Sequence, residues 1–164
     1  MELDSHLLAT ASLADYTRVN LILPELRERD TAGVIGELSQ MLQRQGWVPD
    51  VLPLYHTALN QELLNNSGLA CGLAFPHARL TGVKQLQFAL GRAPFPITWG
   101  AKGAWPVQLV FLIAVPATDA AGYLHLLASL SRLGQTTGLI NELRHAPDAA
   151  SMFGVLEKVS LRQG

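Results

Sequence analysis

The sequence predicts an α/β fold: a three-layer sandwich, with a mixed β-sheet flanked by helices on both faces. Three observations predict it. The run Val107-Gln108-Leu109-Val110-Phe111-Leu112-Ile113-Ala114-Val115 is apolar and rich in β-branched residues, as in a central strand covered on both faces. Helical periodicities stand toward both ends of the chain and are interleaved with strand-like segments. Hydrophobic residues make up 49% of the chain and charged residues 15%, which is ample material for a buried core. At 164 residues the whole chain, 1–164, fits one domain.

Taken in order, Val19-Asn20-Leu21-Ile22-Leu23 reads as a short strand stopped by Pro24. Asp30 is placed to cap a helix whose apolar face is Val34, Leu38, Met41 and Leu42, with Gly46 as its stop. A second helix starts after Pro49-Asp50, tolerates Pro53 in its first turn and carries Val51, Leu54, Tyr55, Leu59 and Leu63. Asn65-Asn66-Ser67-Gly68 ends it with turn chemistry. Leu69–Phe75 reads as a buried strand. Gln85–Leu90 alternates polar and apolar, as a strand with one buried face does. Pro94, Pro96, Trp99-Gly100 and Lys102-Gly103 suggest a loop before Val107–Val115. After Pro116, Asp119 and Gly134 bracket a helix with Leu124, Leu127 and Leu130 toward the core. Leu139, Ile140 and Leu143 mark a shorter helix, and Pro147-Asp148 opens a last one bearing Met152, Phe153, Leu156 and Val159.

Composition excludes several functional classes. A formal net charge of -1, with no basic block, offers nothing to nucleic acid or to an anionic membrane. The single cysteine, Cys71, permits no internal disulfide and suits a reducing compartment. Met1–His6 lacks the basic start and apolar run of a leader, and Val107–Val115 is too short to span a bilayer, so the expectation is a cytoplasmic protein. No GxxxxGK[ST], GxGxxG or nucleophile-elbow pattern occurs. Cys71, His77 and His125 show no paired metal-ligand spacing, and Cys71 reads as inert packing inside an apolar run.

The five histidines differ in setting. His6 and His145 lie among polar residues, and His56 sits within a helical pattern as a partly buried structural residue. His125 shares a helix face with Ala128, Ser129 and Arg132, where one hydrogen bond at a boundary would account for it. His77 is the distinctive one. The stretch Leu69–Arg79 is apolar, rich in small residues and runs into Pro76, which stiffens the backbone before His77. A strand end with a chance histidine explains this stretch; so does a reactive imidazole held at the edge of a core. A lone imidazole can accept and hand on a phosphoryl group if its other nitrogen is held and donors surround the phosphate. Arg79 and Arg92 are the nearest candidate donors in sequence.

The block Ser67-Gly68-Leu69-Ala70-Cys71-Gly72-Leu73-Ala74-Phe75-Pro76-His77-Ala78-Arg79 resembles the phosphohistidine signature of enzyme IIA domains of the fructose/mannitol class of the phosphoenolpyruvate-dependent phosphotransferase system, including its nitrogen-regulatory branch. Glu62 upstream, Gly100-Ala101-x-Gly103-x-x-Pro106-Val107 with the run to Pro116, and His125-Leu126 resemble further blocks of that family in the same order. The likeness covers nearly the whole chain. It implies His77 as phosphoryl acceptor, His125 as the second histidine that orients or stabilises the phosphohistidine, and Gln61 and Arg79 near the phosphate. It implies no metal and no cofactor. The implied donor is the phosphocarrier HPr or a paralogue, and the acceptor is a IIB domain or, in a regulatory protein, a target protein; the apolar content leaves room for a homodimer. The chain departs from the family at three places. Gln61 stands where Arg is usual, Phe75 replaces a smaller aliphatic residue, and Lys102 stands where Asp is common. Gln61 matters most, because it can donate a hydrogen bond but brings no charge. A degenerate regulatory binding module with little transfer is the alternative this departure suggests.

Overall fold

The computed structural model describes residues 11–101 and 105–161. His6, Lys102, Gly103 and the Met1–His6 segment lie outside the described residues. Five strands form one mixed sheet: β1 (Ile22–Leu23), β2 (Leu73–Ala74), β3 (His77–Leu80), β4 (Gln87–Thr98) and β5 (Pro106–Pro116). The order is β1-β4-β5-β2, and β3 also pairs with β5, so β2 and β3 are two pieces of one broken edge. β4 runs antiparallel to β5, while β1 lies parallel to β4, and β2 and β3 lie parallel to β5. Five α-helices flank the sheet: α1 (Thr31–Arg44), α2 (Val51–Leu64), α3 (Ala120–Gly134), α4 (Thr137–His145) and α5 (Ala149–Leu156). Among the described residues no helix is long and apolar enough to cross a membrane.

The sandwich follows from the two-residue alternation of β5. Leu109, Phe111 and Ile113 join Leu126, Leu130 and Leu143 in one core against α3 and α4. Val110, Leu112 and Ala114 join Val34, Leu38 and Leu54 in a second core against α1 and α2. Each layer needs the central strand to be apolar on both faces, as its sequence is. Asp30 caps α1 by accepting from the Gly33 N–H at 2.7 Å, and Gly46, at φ +83°, turns the chain out of the helix.

Several elements differ from the sequence expectation. Val19–Leu21 is a 3-10 turn, closed by a 2.8 Å bond from Leu21 N–H to the Arg18 carbonyl, and only Ile22–Leu23 pairs as strand. Leu69–Gly72 is a turn rather than strand: the Gly72 N–H donates to the Leu69 carbonyl at 2.9 Å and Gly72 takes φ +91°. Cys71 is therefore half-buried in that turn, not fixed inside a strand. β4 does not stop at Leu90 but runs through Pro94 and Pro96 to Thr98. The prolines, which lack a ladder donor, sit in the irregularity between Arg92 and Ile97. Trp99, expected in a loop, is fully buried. Gln87–Leu90 is buried on both faces, since helices cover each side. The inward stripe of α2 is Leu54-Ala58-Glu62, so Leu63 and His56 face solvent; that of α3 is Leu126-Ser129-Leu130-Leu133, which leaves Leu124 exposed. Steps of three alone drift off a helix face that repeats every 3.6 residues.

Arg92 is a structural residue. Its Nε donates to the Pro24 carbonyl at 3.0 Å, and one terminal nitrogen serves the carbonyls of Leu143 and Ala146 at 2.7 and 2.8 Å. It thus terminates α4 and ties it to β4, supplying a positive charge where the helix dipole is negative. Arg92→Ala is expected to lower the unfolding free energy by about 2 kcal/mol in a urea titration, since charge-assisted bonds are lost and carbonyls are left without their donor. A change under about 0.5 kcal/mol, typical of a surface site, would contradict this role.

Candidate functional site

β2 and β3 would be one strand but for Pro76, which has no N–H to give the ladder. Phe75 N–H also turns away from the sheet, donating to Ser67 Oγ at 2.8 Å. The Pro76 carbonyl still accepts from Ile113 N–H at 2.9 Å, so the break stays docked on β5. On this sheet edge the Pro76 carbonyl faces β5, so the Phe75 carbonyl faces outward, and His77 Nδ1 lies 3.3 Å from it. A carbonyl can only accept, so this contact calls for the proton on Nδ1, which in the neutral tautomer leaves the lone pair on Nε2. Pairing of His77 with Ile113 and of Arg79 with Val115 sets the register of β3. His77 and Arg79, two residues apart, therefore share one face, while Ala78 is buried on the other.

That face borders a cavity of about 190 Å³ lined by Gln61, His77, Arg79, Val115 and Tyr123. It is smaller than the roughly 300 Å³ at which pockets begin to hold drug-sized ligands, and suits a phosphoryl-sized group. Gln61, near the end of α2, is exposed, and so is Arg79. Tyr123, in the first turn of α3, lies ring to ring with His77, with centroids 4.9 Å apart and planes at 35°. Burial raises the Tyr123 phenol above its ordinary value near 10; Arg79 pulls it down and Glu62 pushes it up. Tyr123 therefore remains a neutral hydroxyl across the physiological range.

Glu62 supports this site from beneath. It is 2% exposed, and its Oε1 accepts from Ser67 N–H at 2.8 Å, from Ser67 Oγ at 2.6 Å and from the Trp99 indole Nε1–H. Ser67 Oγ gives its hydrogen to Glu62 and accepts from Phe75 N–H, which links the buried carboxyl to the backbone that holds His77. Asn66 bonds the Trp99 carbonyl at 2.8 Å and the Gly68 N–H at 2.7 Å, closing the turn. Gly100 is needed here: it sits at φ +76°, and a Cβ would fall 2.3 Å from Asn66 Nδ2.

The structure thus brings together three of the four residues expected at the site: His77, Gln61 and Arg79. It does not bring in His125, which is exposed and is not among the cavity-lining residues. Two residues along a helix are roughly 200° apart, so Tyr123 and His125 leave α3 on different sides. The neighbouring ring is Tyr123, which sequence reasoning missed, along with the Glu62–Ser67–Trp99 support. An aromatic four residues after the Asp119 cap was the available signal. His56 stacks edge-on with Tyr55, and His145 Nδ1 meets the Asn141 carbonyl at 2.8 Å. Among the described residues no group of three or more His, Cys, Asp or Glu could hold a metal ion. A larger depression of about 830 Å³ along α1 and α2 is lined by residues such as Glu37, Arg44 and Tyr55, with no histidine or cysteine.

Comparison with known proteins gives a consistent picture. Residues 15–159 match the family model described as phosphoenolpyruvate-dependent sugar phosphotransferase system, EIIA 2. A nitrogen regulatory protein of Bradyrhizobium diazoefficiens is 26% identical over 145 residues, 88% of this chain and 94% of that relative. The crystal structure of nitrogen regulatory protein IIA-Ntr from Neisseria meningitidis superposes with a TM-score of 0.75 at 24% identity, over 88% of this chain and 98% of that one. Enzyme IIA of the mannitol system from Escherichia coli, in its complex with phosphorylated enzyme IIB, gives a TM-score of 0.68 at 18% identity, over 85% and 97% of the two chains. At such identities these structures establish the shared fold.

Two measurements test the site's construction. Glu62→Ala leaves three donors without their acceptor and is expected to cost roughly 3 kcal/mol in denaturant unfolding; a loss below 1 kcal/mol would remove Glu62 from its supporting role. The raised Tyr123 phenol contributes stability that is fully present below pH 10.0 and is lost as pH rises through its folded value. Tyr123→Phe should flatten the alkaline fall of stability in part, leaving the share of Tyr16, which burial and the charges of Asp119 and Asp15 also raise.

Proposed function

The chain belongs to the phosphoenolpyruvate-dependent sugar phosphotransferase system EIIA 2 family, and on that premise we propose that it is a cytoplasmic phosphoryl carrier with His77 as its acceptor. The observation that carries this reading is the His77 geometry: Nδ1 faces the Phe75 carbonyl and the ring borders a small cavity with Arg79 on its wall. The Nε2 lone pair attacks the phosphorus of an incoming phosphohistidine on an HPr-like carrier. The new N–P bond forms as the donor's N–P bond breaks, and the donor nitrogen keeps the bonding pair. The proton stays on His77 Nδ1, so the positive charge acquired by the ring is held against the Phe75 carbonyl. Arg79 and Gln61 donate to the phosphoryl oxygens, Arg79 with charge and Gln61 without. A phosphorylated IIB is part of the Escherichia coli mannitol complex of the same fold, which supports a IIB domain as one acceptor.

A second reading keeps the fold but makes the chain a regulatory binding module that docks on a transporter, kinase or regulator with little phosphotransfer. It is favoured by Gln61, an uncharged residue at the cavity wall, and by relatives named nitrogen regulatory protein.

Incubation with phosphoenolpyruvate, enzyme I and an HPr-like carrier should place an acid-labile phosphate on the protein, absent in His77→Ala. Lack of label with a competent donor refutes the carrier role. Arg79→Gln should slow labelling by about tenfold, less than the loss of a buried preorganised donor because the guanidinium is exposed. Gln61→Arg should speed it; an unchanged rate would deprive the regulatory reading of its main support.

A further inference from the structure

We propose that Tyr123, and not His125, is the positioning residue for His77: its ring fixes the imidazole plane and stabilises the positive charge that the ring acquires on phosphorylation. This rests on the reading of His77 as acceptor.

Three observations carry it. The two rings lie at 4.9 Å between centroids with a 35° tilt, nearer to parallel than to edge-on. Tyr123 lines the same cavity as His77, Gln61 and Arg79, so the stack closes one side of the phosphoryl space. The other constraint on the imidazole is the Nδ1 to Phe75 carbonyl contact at 3.3 Å, which is long for a hydrogen bond. A single long bond leaves the ring free to rotate about its last side-chain torsion. The tyrosine face removes that freedom and keeps Nε2 on the cavity.

The chemistry of transfer makes the stack more valuable after reaction than before. With Nδ1–H retained, phosphorylation at Nε2 gives the ring cationic character. An aromatic face within about 6 Å of a cation attracts it through the ring quadrupole. The Phe75 carbonyl takes the N–H edge and Tyr123 takes the face, so the two together meet the new charge. An interaction that strengthens along the reaction favours uptake, whereas one that is constant would not. His125, exposed and roughly half a helical turn away from Tyr123, is not on this cavity wall.

The test compares Tyr123→Phe, Tyr123→Leu and His125→Leu in the full chain. Nitrogen-15 chemical shifts of His77 in the unphosphorylated protein report which ring nitrogen bears the proton. Wild type and Tyr123→Phe should hold the Nδ1–H form; Tyr123→Leu should give a mixture of both tautomers while amide spectra show an intact fold. Phosphoryl uptake from the phosphorylated carrier should stay within about threefold of wild type in Tyr123→Phe and fall about tenfold in Tyr123→Leu. Unchanged His77 shifts and unchanged uptake in Tyr123→Leu would overturn the proposal, as would a tautomer change produced by His125→Leu in place of Tyr123→Leu. If His77 in the wild-type protein takes no phosphate, the acceptor reading fails, while the nitrogen shifts still decide whether Tyr123 holds the imidazole.

Discussion

The Glu62 carboxyl, almost sealed from solvent, is the contact on which the rest of the site depends. A buried carboxyl left unpaired would be costly, so its surroundings must supply donors. Here the donors come from two distant places, the Ser67 turn and the Trp99 indole. One side chain at the end of α2 thereby ties the turn after the helix to the far end of β4. The same serine then accepts from the outward-facing Phe75 N–H and fixes the backbone just before His77. The geometry at His77 is the downstream result of a buried polar cluster that must satisfy itself.

The break in the edge strand turns this support into chemistry. Along this edge Gly72, Pro76 and Leu80 turn their carbonyls to β5, so the carbonyl of Phe75, the residue before Pro76, points off the sheet. There it meets His77 Nδ1 and favours the Nδ1–H tautomer. The central strand is apolar on both faces and anchored by two helical layers, which gives the broken edge a rigid backing.

Much of this was legible in the sequence where the physics is local or strongly periodic. The Asp30 cap, the α1 face and the doubly buried β5 follow from side-chain chemistry and spacing within a few residues. The continuation of β4 through Pro94 and Pro96 was not, because prolines read as a loop unless the strand is known to bulge against its partner there. Trp99 looked like a loop residue for the same reason, and its burial rests on tertiary partners, the apolar core under α1 and α2 and the Glu62 carboxyl. At the site, the Pro76-His77 block and Arg79 share one short strand, so sequence spacing sufficed to pair them. The second ring lies on a helix far along the chain. A two-residue difference there, Tyr123 against His125, changes the side of the helix, and the one local signal, the spacing of Tyr123 from the Asp119 cap, does not reveal which ring meets His77.

The electrostatics of the cavity give this site its character. Its lining holds one full positive charge, Arg79, which is exposed, beside the uncharged Gln61 and the neutral Tyr123 phenol. An exposed guanidinium is screened by water and salt, so it attracts a phosphoryl group less than a buried one would. The balance of stabilisation therefore shifts from the phosphate oxygens toward the imidazole itself, through the Phe75 carbonyl on its N–H edge and the tyrosine on its face. With His77 as the proposed phosphoryl acceptor, a site built this way does not need a second fixed cation. It needs an imidazole whose orientation and ring charge are already provided for, and the chain from Glu62 through Ser67 and Phe75 to His77 provides the first of these directly.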